Sequence, residues 1–172
     1  EEIGSIESEN GVAIALHALD IGTSKDVLTG QQELLKTFRS VPLFKFEYSS
    51  MFEETFGDLL PKIKPSAYTI LDEFIIFSEN ETTLEDVISK YTNQNNLAQS
   101  QGYQSIQKTL SDEASYLQTF DSNRLAKILN NHLGANVTAE SLETFQNSTV
   151  QVVKDDNTIH FNGLIQKQKP AS

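Results

Sequence analysis

One unit is written twice in this chain, about 32 residues apart: an apolar hairpin, a Ser/Thr and Glu pair able to open a helix, and a short amphipathic helix. The first copy passes through Phe44, Phe46 and Tyr48 to Ser50, Phe52, Glu53, Phe56 and Leu59. The second passes through Phe74 to Phe77, then Thr82, Leu84, Glu85, Ile88 and Tyr91. Where hairpins make most of the connections, neighbouring strands run antiparallel and bury their apolar side against helices. The expected architecture is therefore α+β, a mainly antiparallel sheet built from hairpins with helices packed on one face. A parallel, doubly wound sheet fits poorly.

Around the repeat the chain reads as follows. Val12 to Leu19 is a strand with both faces covered, and Lys25 to Leu28 carries a weak helical signal. Glu33 to Phe38 and Leu43 to Tyr48 pair around Arg39 to Pro42, with Pro42 at the strand's edge, where a missing N–H donor costs little. Ser50 with Glu53, and Thr82 with Glu85, have the spacing of capping boxes, and the first helix ends by Pro61. Tyr68 to Leu71 and Phe74 to Phe77 flank an Asp72-Glu73 turn, and the unbroken apolar run of the second strand marks it as central and covered on both faces. Leu84, Val87, Ile88 and Tyr91 then fall on one helical face. Tyr103, Ile106 and Leu110 suggest another helix, Ala114 to Phe120 a strand, and Ser122 caps a helix striped by Leu125, Ile128, Leu129 and Leu133 and stopped at Gly134. Asn136 to Leu142 is a loop or helical turn. Ser148 to Val153 and Thr158 to Gln166 make a last hairpin, with Ile159, Phe161 and Ile165 on one face.

With 172 residues the chain suits one domain over 1–172, and the polar stretches 1–10 and 167–172 are expected to fray. It starts at Glu1, and its one methionine is Met51, so a processed protein or a piece of a longer parent chain is expected. No apolar run is long enough to span a bilayer, so direct membrane insertion is not expected of this part. There are 24 acidic and 13 basic residues for a net charge of −11. That field repels phosphate backbones, so no nucleic-acid partner is expected. Cysteine is absent, which removes disulfides, thiolate metal sites and thiol catalysis together.

Chemistry-bearing residues are present but not in working constellations. His17, His132 and His160 lack a second histidine at the spacing that brings two imidazoles to one metal. Asp155, Asp156 and Asn157 offer hard oxygen ligands without the closing Glu of an EF-hand, and a hairpin turn accounts for them better. Asp72 with Glu73, and Asp112 with Glu113, are neighbours in extended segments, so their carboxylates diverge rather than act as an acid and base pair. No nucleophile elbow, dinucleotide fingerprint or P-loop occurs. Arg39 and Arg124 are available for bidentate anion recognition; surface guanidinium explains them more simply. The Asn-x-Ser/Thr triplets at Asn80, Asn136 and Asn147 sit in turns or loops and carry meaning only in a glycosylating secretory pathway. The Asn- and Gln-rich run from Gln94 to Gln107 reads as a solvated face. No catalytic, cofactor or metal residue is assigned.

From Ala67 to Ser78 (AYTILDEFIIFS), then Thr83-Leu84, Asn96-Leu97, Tyr103, Leu110 and Ala114-Ser115-Tyr116, the chain resembles domain-of-unknown-function family 3352 of bacterial envelope proteins. The likeness runs from about Tyr68 to Leu133. It implies an extracytoplasmic module, often part of a longer protein, with no established activity and no functional residues to carry over.

These readings converge on a non-enzymatic exported module with a scaffold or protein-interaction role, its partner being another protein or another domain of the parent chain. The alternative is a binding domain for a small apolar or amphipathic ligand, with Phe44, Phe46, Phe52, Phe56, Phe74 and Phe77 lining a pocket between sheet and helices.

Overall fold

Apolar side chains alternate between two cores along the strands of the amino-terminal half. In the computed structural model, which describes residues 2–29, 33–142 and 144–167 apart from the side chains of Thr29, His132, Leu133 and Gln146, the chain divides into two compact units, 1–95 and 96–172.

The first unit contains β1 (Ile3–Ser8), β2 (Gly11–His17), α1 (Ile21–Thr29), β3 (Leu34–Phe38), β4 (Val41–Lys45), α2 (Met51–Phe56), β5 (Ala67–Leu71), β6 (Phe74–Ser78) and α3 (Glu81–Thr92). Its strands form one antiparallel sheet in the order β1-β2-β6-β5-β4-β3. The hairpin-and-helix unit occurs three times here, with helices beginning at Ile21, Met51 and Glu81. The first copy escapes notice in the sequence because β1 was expected to fray. Ile3 and Ile6 do not alternate in period two, and the strand is instead specified by its register on β2 from Ile3↔Leu16 to Ser8↔Gly11.

The α+β class and the construction from hairpins hold, but the helices cover both faces of the sheet rather than one. Ala13, Leu43, Ala67, Leu71 and Ile76 face α3, whose Leu84, Val87 and Ile88 complete an aliphatic core. Ile14, Phe46, Tyr68, Ile75 and Phe77 point the other way, into an aromatic core closed by Phe52 and Met51 of α2 and by Ile21 and Leu28 of α1. Strand residues one position apart thus serve opposite cores. Central β6 is buried at Ile75, Ile76 and Phe77, as its apolar run predicts, while Phe74 at its start is exposed.

Helix starts differ from the expected capping boxes. Ser50 is itself in helical conformation, so its hydroxyl cannot cap the first turn and donates to Glu54 Oε1 at 2.7 Å, leaving Glu53 uninvolved. Thr82 lies inside α3; the cap is Asn80, extended, whose Oδ1 accepts from Thr83 N at 2.8 Å. Asp20 caps α1, taking the Thr23 amide at 3.0 Å and the Thr23 hydroxyl at 2.9 Å. Those bonds, the amide's first, hold its carboxyl below the ordinary carboxylate range. Pro42 stands near the start of β4, as expected, but β4 is an interior strand between β3 and β5, and the Pro42 carbonyl accepts from Thr69 Oγ1 at 2.8 Å. The strand ends at Lys45, short of Tyr48.

The second unit contains α4 (Gln101–Gln107), β7 (Tyr116–Phe120), α5 (Ser122–Leu133), β8 (Phe145–Asp155) and β9 (Thr158–Lys167), with an antiparallel sheet β7-β8-β9. Asp121, not Ser122, caps α5 through Arg124 N at 2.9 Å, and Gly134 ends it in the left-handed conformation at φ 62°. Leu125, Ala126 and Leu142 form its core with Phe120, Leu129, Val137 and Phe145. Asp112 and Glu113 lie in the loop ahead of β7 rather than on a strand. The last hairpin is longer than its apolar pattern suggests and turns at Asp156-Asn157, with Asp156 at φ 38°. The expected fraying of 168–172 lies outside the described residues.

Candidate functional site

Two places gather side chains that the sequence singles out. The first is the Asp72-Glu73 turn between β5 and β6. Glu73 Oε2 is 3.3 Å from His17 Nε2, whose ring lies against Phe74 with centroids 4.9 Å apart. Asp72, with φ 51°, instead accepts a hydrogen bond from the Tyr91 hydroxyl at the end of α3. That bond to the Asp72 carboxylate, then desolvation, pushes the Tyr91 phenol above its ordinary value. The two neighbouring carboxylates therefore diverge as expected, each tying the turn to a different element.

The remaining candidates are dispersed. Arg39 donates to Thr92 Oγ1 at 3.1 Å and Asn93 Oδ1 at 2.9 Å, fastening the β3–β4 turn to the end of α3. His160 is exposed on β9, and the side chain of His132 lies outside the described residues. Asn96 and Ser100, within the polar run, cap short helical turns through Gln99 N and Tyr103 N, both at 3.2 Å. Among the described residues no three His, Asp or Glu side chains come together as a metal-ligand set. The candidate pocket aromatics pack on one another: Phe77 lies 4.9 Å from both Phe46 and Phe52, and Phe44 stacks on Tyr68 at 5.3 Å. Phe74 stands outside that cluster, against His17.

The second place is the sheet of the 96–172 unit. Its two faces differ sharply. On one, Gln151 is fully buried and mimics a backbone partner, its Oε1 accepting from Ser111 N at 3.0 Å and its Nε2 donating to Ser111 O at 2.8 Å. Thr119 and Thr149 are 3.1 Å apart on the same face. Sequence reading missed this network, since a Gln between valines carries no local sign of burial.

The other face follows the register rows Tyr116–Val152–Phe161 and Gln118–Val150–Gly163. The α5 core takes in Phe120 at the edge of this face. Beyond it, Tyr116, Ile159, Phe161 and Ile165 are 50%, 58%, 74% and 61% exposed, with Val150 and Val152 half-buried between them. Alternation puts Ile159, Phe161 and Ile165 on one face, as the sequence predicts; it is an open face rather than a core. Apolar side chains of this size in one contiguous patch mark a surface built to be covered.

Among the described residues no helix is long and apolar enough to cross a membrane. No curated protein and no solved structure matches the chain. One family model does, described as "Protein of unknown function (DUF3352)", and it extends the resemblance seen around the second hairpin to residues 13–172, so the chain belongs to that family.

Proposed function

We propose that this chain is a non-catalytic protein-interaction module of an exported protein, and that it works through the open face of the β7-β8-β9 sheet. The observation that carries this reading is the exposed row of Ile159, Phe161 and Ile165 beside Tyr116. Leaving such side chains in water forgoes about 1.5–3 kcal/mol for each one that burial would recover, and a partner supplies that burial. The exported location is part of the proposal, and its support is the resemblance of the stretch around the second hairpin to bacterial envelope proteins. Placing a photoreactive phenylalanine analogue at Phe161 in cells of the source organism tests the interaction. Covalent capture of a polypeptide at this position, lost when the analogue is moved to exposed Thr55 of α2, is the expected result. A folded protein that captures nothing overturns the reading.

A further inference from the structure

The interaction reading rests on the face of β9, and the edge of the same strand says what covers it. Among the described residues four strands end the two sheets: β1, β3, β7 and β9. An edge strand presents unpaired N–H and C=O groups, and proteins blunt it with shortness, charge or bulges. β1 carries Glu7 and is flanked by Glu2 and Glu9. β3 is five residues long, shifts register between Leu34 and Lys36, and bears Lys36 bound to α3. β7 has five residues. β9 has ten, keeps a regular register from Thr158 to Gln166, and contains no carboxylate in a chain with 24 of them.

We propose that β9 pairs antiparallel with β9 of a second copy of this chain, about a two-fold axis through Asn162, so that two three-stranded sheets become one continuous sheet. An isologous contact of this kind must be self-complementary, and β9 is. A register centred on a residue sets side chains of like parity opposite one another, so the open apolar face of one copy runs on into that of the other. Ile159 then stands opposite Ile165, and Phe161 opposite Gly163. A Cβ at Gly163 would meet open space, which leaves room for the aromatic ring to lie across the facing glycine.

Charge selects both the occupant's strand and the register. With a net charge of −11, two copies repel over most of their surfaces, whereas β9 brings only His160 and Lys167 to its own edge. In the Asn162-centred register Lys167 of each copy lies opposite Asn157 of the other, beside Asp155 and Asp156, and the pairing occurs at both ends. Centring on Gly163 instead moves Lys167 to Ile159, away from the acids. A slip of one residue turns the apolar face of one copy against the polar face of the other.

The absence of cysteine makes the test direct, since each disulfide reports a thiol placed by design. In the 172-residue chain, Asn162→Cys is expected to give a disulfide-linked dimer under mild oxidation. Ile159→Cys and Ile165→Cys chains, mixed, are expected to link to each other in preference to themselves. Sedimentation equilibrium of the unmodified chain is expected to show twice the chain mass, and Phe161→Lys, at an exposed position, to return it to a monomer with an unchanged circular dichroism spectrum. A monomer at all concentrations, no linkage through Asn162→Cys, or a dimer that survives Phe161→Lys overturns the proposal. Capture of a different polypeptide, or of residues 1–95 of the same chain, by the analogue at Phe161 also overturns self-pairing. The first of these leaves the interaction reading standing, whereas no capture at all removes both.

Discussion

The hydroxyl of Thr83, in the first turn of α3, lies 2.9 Å from the main-chain carbonyl of Asn10, in the turn between β1 and β2. It joins the first and third copies of the repeat through the fully buried side chain of Thr83. Gly11 makes the approach possible: its φ is +141°, and a Cβ there would stand 2.9 Å from Thr83 Oγ1.

Replacing Gly11 by Ala adds both a clash and a strained backbone, and is expected to cost about 1–3 kcal/mol. Thr83→Val keeps the shape and removes the hydroxyl's bonds to the Asn10 carbonyl and Asn80 Oδ1, at a cost of roughly 0.5–1.5 kcal/mol. Urea denaturation of the two variants measures each loss as a lower midpoint with an unchanged slope.

Phe77 sits between Phe46 and Phe52 at 4.9 Å from each ring. Phe77→Ala is expected to destabilise by about 3–5 kcal/mol through lost transfer energy and a residual cavity. Phe161→Ala, by contrast, removes a ring that is exposed in the single chain and is expected, at concentrations low enough to keep the chain monomeric, to stay within about 0.5 kcal/mol of the parent. Thermal melts of the pair separate a core aromatic from a surface one.

Lys36 on β3 reaches Glu81 Oε2 at 2.7 Å and Glu85 Oε1 at 2.8 Å on α3. The hydrogen bonds to Glu81 and then Glu85 raise its ammonium above the ordinary value of 10.5. A pKa raised by folding gives stability that is complete below the unfolded value and is lost as pH rises through the folded one. The melting temperature is therefore expected to fall above pH 10.5. Lys36→Met is expected to flatten that alkaline limb, which melts recorded from pH 9 to about 11.5 will show.

Tyr91 gives a spectroscopic counterpart. Its phenol donates to the Asp72 carboxylate and is raised above the ordinary value of 10.0. Ultraviolet titration is expected to show Tyr91 among the late-ionising phenols of the folded protein. Asp72→Asn is expected to bring that ionisation to lower pH, because the acceptor then loses its charge.

The strongest local signals are the most faithful to the fold. The run Phe74 to Phe77 and the Leu84, Val87, Ile88 stripe correctly mark β6 and α3, since a strand covered on both sides and an amphipathic helix each write their environment into consecutive residues. β1 is illegible for the converse reason: its pairing is supplied by β2, and Glu2, Ser5, Glu7 and Ser8 mimic a polar tail. Caps were displaced by a residue or two because Ser, Thr, Asn and Asp cluster at each helix start, at Asn80 to Thr83 and at Asp121 to Asn123, and only backbone conformation decides among them. The alternation in β9 gave the face of Ile159, Phe161 and Ile165 but not its exposure. Period two says which side chains share a side of a sheet, and it is silent on what, if anything, lies against that side.

The strand order β1-β2-β6-β5-β4-β3 carries a consequence for how the chain is made. The hairpin that emerges third from the ribosome occupies the middle of the sheet, joined to β2 through Ala13↔Ser78 and to β4 through Leu43↔Thr69. Until it arrives, the first two hairpins have no common neighbour, and their inward edges wait unpaired. Assembly of the first unit is thus timed by translation of residues 67–78, and a ribosome stalled shortly before them would hold a nascent chain whose two finished hairpins are the natural cargo of a chaperone.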